Sequence, residues 1–156
     1  MIIHVISVGH KMPDWIVQGY ENYARRLKSE VRLQLHEISP LRRGHQLSVI
    51  QSVEQEGKKI RAAIPKQAHI VAMDVAGTAW STEQLCQRLQ QWLALGQDIC
   101  LLIGGADGLD VICKQQAQEM WSLSPLTLPH ALVRVVVAEQ IYRAWSMLHQ
   151  HPYHRS

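Results

Sequence analysis

No stretch of this 156-residue chain stays apolar for more than a few residues, because Arg134 separates residues 131–133 from residues 135–138. A helical membrane span of about 20 apolar residues is therefore excluded. The first eight residues carry neither a basic leader nor a cleavage site and are expected to form a strand rather than a signal peptide. Cysteine is scarce. Cys86, Cys100 and Cys113 are odd in number and none has CxxC spacing, which points to small buried hydrophobes in a reducing compartment. Linkers rich in Pro, Gly or Ser, internal repeats and low-complexity tracts are all missing. With 47% hydrophobic residues, residues 1–156 are expected to fold as a single domain around a full core. Phosphate-binding fingerprints are absent as well: the first strand runs into GHKMPDW, where Gly9 stands alone, so there is no GxGxxG, and there is no Walker motif. A dinucleotide-binding Rossmann domain is excluded. Positive charge is only mildly in excess, at +3 with nine histidines uncounted, which admits a nucleic acid without demanding one. The basic residues gather as Arg25, Arg26 and Lys28, as Arg42 and Arg43, as Lys58, Lys59 and Arg61, and finally as Arg143 and Arg155; each group by itself reads as a solvated face.

What the chain does contain is an alternation of strand and helix periods. Ile2–Val8 is β-branched, and Ile16, Tyr20, Tyr23 and Leu27 follow Pro13 at helical spacing. Val31, Leu33 and Leu35 alternate with polar residues as a second strand, and residues 39–44, SPLRRG, form a basic loop. Leu47, Ile50, Val53 and Ile60 suggest a helix interrupted by Gly57. Residues 69–73 read as a short buried strand ending at Asp74, with a turn at Gly77. The next helix is the best marked: Ser81 and Gln84 fit a capping box, Leu85, Leu89, Trp92 and Leu93 supply an apolar face, and Gly96 is a suitable stop. A strand at Ile99–Ile103, a helix over residues 109–120, a strand over 121–124 and a helix from His130 to Leu148 complete the series. Val133 and residues 135–137 would suit a strand equally well, and length together with the spacing of Leu132, Val136, Glu139 and Arg143 favours helix. The sum is an α/β fold: a mostly parallel sheet with helices on both faces and ligands at the carboxyl ends of the strands.

Three segments carry candidate chemistry. GGADG, residues 104–108, follows a strand and precedes a helix; read alone it is either a tight turn or a ligand loop. LSPLTLP, residues 123–129, is apolar where loops are normally wet, so it is expected to be buried, as an edge strand or as an apolar pocket wall suited to an adenine ring. The tail HPYHRS places Tyr153 beside His154 and Arg155, a stacking ring beside donors for a base or phosphate, or else a frayed end. His149, His151 and His154 lack a scaffold for tetrahedral geometry, so no metal is expected.

Taken together, LLIGGADGL, LSPLTLPHALVRVVVAEQIYRA and the terminal PYHR closely resemble the small SPOUT methyltransferases of the RlmH type, and the opening VGHKMPDW, the EGKKI region and MDVAGTAWS extend the match over the whole chain. The resemblance implies methylation of N3 of a pseudouridine in 23S rRNA within the ribosome, a cytoplasmic location, a homodimer, and a deep C-terminal trefoil knot, one of the rare exceptions to unthreaded topology. It implies S-adenosyl-L-methionine as cofactor, held by Met73, Gly104, Gly105, Leu123, Ser124, Pro125, Leu126, Thr127 and Leu128. A Cβ at Gly104 is expected to enter the space of that cofactor. The chain departs mildly from some relatives, with Ala106 and Asp107 inside the glycine loop and Met73 in place of a common leucine. His130, Arg143, Tyr153, His154 and Arg155 are the implied RNA contacts, and His154, Tyr153, Arg143 and Glu139 the implied catalytic groups. His154 is the preferred base because an imidazole titrates near neutrality; a solvent-assisted route needs no dedicated base. Tyr153, His154 and Arg155 are expected to have few core contacts. A non-catalytic RNA-binding module and a flavodoxin-like nucleotide-binding domain are the alternatives from other classes, and saturable binding of S-adenosylmethionine separates the first reading from both.

Overall fold

The structure is a computed structural model that describes residues 1–28, 30–41 and 47–155. Arg42, Arg43 and Gly44 of the expected basic loop lie outside the described residues. Five strands, β1 (Ile2–Val8), β2 (Arg32–Ile38), β3 (His69–Ala79), β4 (Ile99–Ile103) and β5 (Glu119–Ser122), form one parallel sheet in the order β2-β1-β4-β3-β5. The helices are α1 (Asp14–Ala24), α2 (Val49–Ala63), α3 (Thr82–Leu95), α4 (Val111–Gln116) and α5 (His130–Leu148), with a short 3-10 turn at Pro152–Arg155. The period of two along the strands sorts them into layers. Ile99, Leu101 and Ile103 pack with Leu85, Leu89 and Trp92 of α3 and with Val137, Ile141 and Trp145 of α5. Cys100 and Leu102 point the other way, onto Ile60 of α2 and Cys113 of α4. Because both faces are covered, β4 is buried along its whole length and reads as the continuous apolar run ICLLI.

Local chemistry explains most of the boundaries. Ser48 with Gln51 and Ser81 with Gln84 each close a full capping box, and Gly96 ends α3 at φ +68°, where a side chain would be strained. Pro129 opens α5. The valines of α5 are compatible with helix because α1 packs against one of its sides and α3 against another, so tertiary contact overrides a modest propensity penalty.

Three expectations need correction. β3 does not stop at Asp74 with a turn at Gly77; it bulges, with Met73 and Thr78 both opposite Trp121, and resumes to Ala79. Asp74 Oδ1 accepts the Ala76 N–H at 2.9 Å inside the bulge, and a Cβ on Gly77 would lie 2.7 Å from the Met120 backbone, so only glycine lets the strand return to β5. The helix expected over residues 109–120 is confined to Val111–Gln116, since the Asp110 carboxylate caps it by accepting the Cys113 N–H at 2.8 Å, and β5 accordingly begins at Glu119. Gly57 does not interrupt α2. It is buried mid-helix, and a Cβ there would collide with the Asp110 carboxylate, which also accepts a hydrogen bond from Arg61. Burial opposes ionisation of Asp110, yet hydrogen bonds from Cys113 and Arg61 hold its carboxyl below the ordinary range. The same burial pushes the Cys100 and Cys113 thiols up to about 12, so both behave as small hydrophobes, while Cys86 is half-buried.

Gly57→Ala sets two effects against each other: a gain of about 1 kcal/mol in helix propensity and the loss of a buried charge-assisted contact worth about 3 kcal/mol. Net destabilisation of about 2 kcal/mol is expected, read as a lower urea midpoint at unchanged slope.

Candidate functional site

At the carboxyl ends of β3, β4 and β5 the chain leaves a cavity of about 550 Å³, within the range of small-molecule sites. Its floor is Met73 at the bulge of β3, Ile103 at the end of β4 and Trp121 one residue before the end of β5. One wall is the glycine loop after β4. Gly108 N–H donates to the Gly105 carbonyl at 3.1 Å, and Gly108 sits at φ +83°, so residues 105–108 form a tight turn. The opposite wall is the connection from β5 to α5, where Leu126 N–H donates to Ser124 Oγ at 3.0 Å and Ser122 Oγ donates to the Ser124 carbonyl at 3.2 Å. GGADG is thus a tight turn, and Gly104, Gly105, Ala106 and Gly108 line the cavity.

The structure brings eight of the nine expected cofactor positions around this cavity: Met73, Gly104, Gly105, Leu123, Ser124, Leu126, Thr127 and Leu128. Pro125 does not line it. The connection is not buried as expected. Pro125, Leu126 and Thr127 are exposed, Leu126 by 71%, because this strand-to-helix crossing forms the open side of the cavity rather than an edge of the sheet. The reason given for Gly104 is also corrected: a Cβ there would lie 2.6 Å from the Gly108 carbonyl oxygen and 2.7 Å from the Leu109 nitrogen, so it would collide with its own loop rather than project into the cavity. Asp74, Trp121 and Val133 line the cavity unforeseen. Their only sequence signal is position next to Met73, Leu123 and His130.

Arg134, one turn into α5, fixes this wall. Although 1% exposed, its guanidinium donates to Ser7 Oγ at 3.0 Å, to the Gly9 carbonyl at 2.8 Å and to Glu37 at 2.9 Å, which spends its charge-assisted donors on the ends of β1 and β2. His130 is thereby held on the rim. Burial, and secondarily the Arg134 charge, depress its pKa below the ordinary imidazole value. His130 and Asp74 are the titratable side chains of the cavity wall.

The remaining expected residues gather elsewhere. Glu139 Oε1 accepts from Arg143 Nε at 2.9 Å and from the Tyr153 hydroxyl at 3.0 Å, and Glu139 Oε2 accepts from Gln140 at 2.7 Å. The Tyr153 ring lies 4.7 Å from Tyr142, with Arg143 5.0 Å and Arg26 5.8 Å from its centroid. Tyr153, expected to have few core contacts, is therefore docked on α5, and a frayed end is excluded for it. Burial and the Glu139 hydrogen bond push the Tyr153 phenol upward, so it stays a proton donor; the Glu139 bond likewise raises Arg143. His154 is half-buried and its Nδ1 has no partner, while Arg155 is exposed. The histidines of the tail diverge: His149 stacks on Trp145 and meets Glu30 at 2.9 Å, and His151 packs on Tyr142. Among the described residues no three metal-ligating side chains converge. Glu139 and Arg143 stand 9 and 13 residues beyond His130 on α5, which at 1.5 Å per residue is about 14 and 20 Å along the axis. Within one chain the cavity lies at the start of α5 and the polar cluster on its middle and last turns.

Comparison with known proteins gives this geometry a context. A family model described as "Predicted SPOUT methyltransferase" matches residues 1–154. The chain is 50% identical over 155 residues to "Ribosomal RNA large subunit methyltransferase H" of Methylococcus capsulatus, covering 99% of this chain and 100% of that protein. It is 51% identical over 156 residues to the protein of the same name from Nitrosococcus oceani, covering 100% of this chain and 99% of that one. Among solved structures, a probable methylase family protein from Haemophilus influenzae Rd KW20 superposes with a TM-score of 0.57 at 11% identity, covering 97% of this chain and 69% of that chain. That likeness concerns the fold alone.

The depressed His130 pKa fixes a sign. Between its folded value and the ordinary 6.5, the unfolded chain binds the proton more readily, so stability rises with pH across that window and is lost as pH falls below 6.5. His36, lowered by burial and by His4, acts in the same direction. His130→Gln is expected to make the acid-side decline in unfolding free energy shallower, measured by urea titration from pH 7.5 to 5.

Proposed function

The chain belongs to the SPOUT methyltransferase family, and from that premise we propose that it transfers a methyl group from S-adenosyl-L-methionine to large-subunit ribosomal RNA, at N3 of a pseudouridine in 23S rRNA. The observation that carries this reading is the convergence of the glycine loop and the β5–α5 connection on one cavity at the carboxyl ends of parallel strands. The residues present fit the cofactor. Apolar walls from Ile103, Leu123 and Leu128 suit a purine, and the Ser124 and Thr127 hydroxyls and the Asp74 carboxylate suit its polar, cationic remainder. When bound, the cofactor supplies an electrophilic methyl carbon that needs no metal activation.

The protein's own share of the work is then alignment and removal of the N3 proton. Met73, Gly104, Gly105 and the segment Leu123, Ser124, Pro125, Leu126, Thr127, Leu128 hold the cofactor. His130, Arg143, Tyr153, His154 and Arg155 hold the RNA. Glu139 orients Arg143 and Tyr153 through their shared hydrogen bonds, and Tyr153, protonated throughout, donates rather than accepts. His154 is the group assigned to take the proton, and its Nδ1 is buried without a hydrogen-bond partner.

The separation of about 14 to 20 Å along α5 supports a homodimer in which one subunit's tail completes the other's cavity. In this reading residues 1–156 act as a single domain whose C-terminal part is knotted, as in the family. No helix among the described residues is long and apolar enough to cross a membrane; in this reading a ribosomal substrate implies work in the cytoplasm.

Calorimetry with S-adenosylmethionine tests the cavity. Gly104→Ala should abolish binding by displacing residues 104–109, whereas Gly105→Ala, whose Cβ meets only the Val8 side chain at 3.1 Å and Glu56 at 3.4 Å, should weaken it by less than tenfold. Equal losses in the two variants would refute the assignment. Mixed dimers test the tail. A Gly104→Ala chain paired with a chain truncated after Pro152 should regain methylation that neither homodimer shows, while a tail acting on its own subunit would leave the mixture inactive. The truncated chain should also lose about 2 kcal/mol of stability, because Tyr153 packs on α5.

A further inference from the structure

Beside the cavity stands a group of side chains that the mechanism leaves unused. A Cβ on Gly9 would lie 2.9 Å from His130 Nε2, so the loop after β1 abuts the cavity rim. Its start is immobilised: the Gly9 N–H donates to the Ile38 carbonyl at 2.8 Å and the Gly9 carbonyl accepts from Arg134 at 2.8 Å. From this fixed point the chain presents His10, Lys11 and Trp15 to solvent, Trp15 by 62%. Lys11 adopts φ +52°, a left-handed conformation that a lysine rarely takes, and Gly9 before it and Pro13 at the start of α1 hold it there. Among the described residues neither the Lys11 ammonium nor the His10 imidazole has an ionic or hydrogen-bonding partner, so folding does not use them. Asp14, the neighbouring carboxylate, lies in the first turn of α1, where the free helix N–H groups meet its charge. Trp15 is exposed while Ile16 and Tyr20, the buried side of the same helix, face the core.

We propose that His10, Lys11 and Trp15 form a contact surface for single-stranded RNA at the rim of the cavity, with Lys11 on a phosphate and Trp15 stacked on an unpaired base beside the target. The proposal rests on the functional reading above and extends it to a segment at the opposite end of the sequence from the tail. An exposed indole four residues along the chain from an unpaired ammonium matches what a splayed base and its phosphate need. A rigid loop next to His130 would present that contact already aligned with the site of transfer. A base stacked there would keep the strand from sliding past the methyl donor, so the loop would act on RNA affinity without touching the cofactor.

The test uses the full chain, ribosomes whose 23S rRNA carries the pseudouridine but lacks the methyl group, and three variants. Lys11→Asn removes the charge and keeps a residue that tolerates the left-handed backbone; Trp15→Ala removes the ring; Trp15→Tyr restores one. RNA affinity is measured against salt concentration, S-adenosylmethionine affinity by calorimetry without RNA, and mass by sedimentation. Trp15→Ala should weaken RNA binding about tenfold with recovery in Trp15→Tyr, and Lys11→Asn should reduce the salt slope by about one. Cofactor affinity and mass should stay at wild-type values. Wild-type RNA affinity and slope in Trp15→Ala and Lys11→Asn would overturn the proposal. A change of mass in Trp15→Ala with Lys11→Asn silent would overturn it in favour of a protein contact. A wild-type chain that fails to bind these ribosomes would overturn the functional reading, and this proposal with it.

Discussion

The buried guanidinium of Arg134 is the constraint on which the rest of the molecule hangs. A charge sequestered to 1% exposure is tolerable only when its donors are met, and here they are met by a hydroxyl, a backbone carbonyl and a carboxylate from two other strands. That arrangement fixes where α5 begins relative to the sheet. It thereby sets the rim of the cavity through His130, the course of the loop after β1 through Gly9, and the end of β2 through Glu37. An apolar side chain of similar volume could fill the same space, but it would not specify these three positions at once.

Two further anchors support the same region from behind. The contact of Arg61 with Asp110 joins α2 to the start of α4, directly after the glycine loop, and is possible only because Gly57 leaves room for the carboxylate. The bulge in β3 turns residues 74–77 out of register at the level of the cavity floor. Rigid helices and strands therefore hold each wall of the site, which is what a reaction governed by alignment requires.

How much of this could be read from the sequence depended on the range of the interaction. The ends of α3 were legible because Ser81, Gln84 and Gly96 act within a few residues, and α5 was legible because its length and the spacing of Leu132, Val136, Glu139 and Arg143 outweigh a valine run that would suit a strand. Eight of the nine positions that the family resemblance implies for a cofactor line one cavity. What escaped was decided across the fold. The β3 bulge depends on how closely Gly77 approaches the Met120 backbone, and the docking of Tyr153 depends on Glu139, 14 residues earlier. Arg134 looked like an interruption of an apolar run. Only the burial of Ser7 and Gly9 beneath it explains why a charge stands there.

The strand order has a consequence for how the molecule comes into being. β1 is the first strand in the chain, yet it lies inside the sheet and pairs on one side with β4, Ile3 opposite Ile99. During synthesis it would wait beside β2 with an open edge until nearly two thirds of the chain had emerged, and Ser7 would meet Arg134 later still. Such distant pairings carry the full entropy of loop closure before they give any return, which slows folding and prolongs the exposure of an apolar edge. The cavity, lined by residues from Met73 to Val133, thus cannot form until most of the chain has been made.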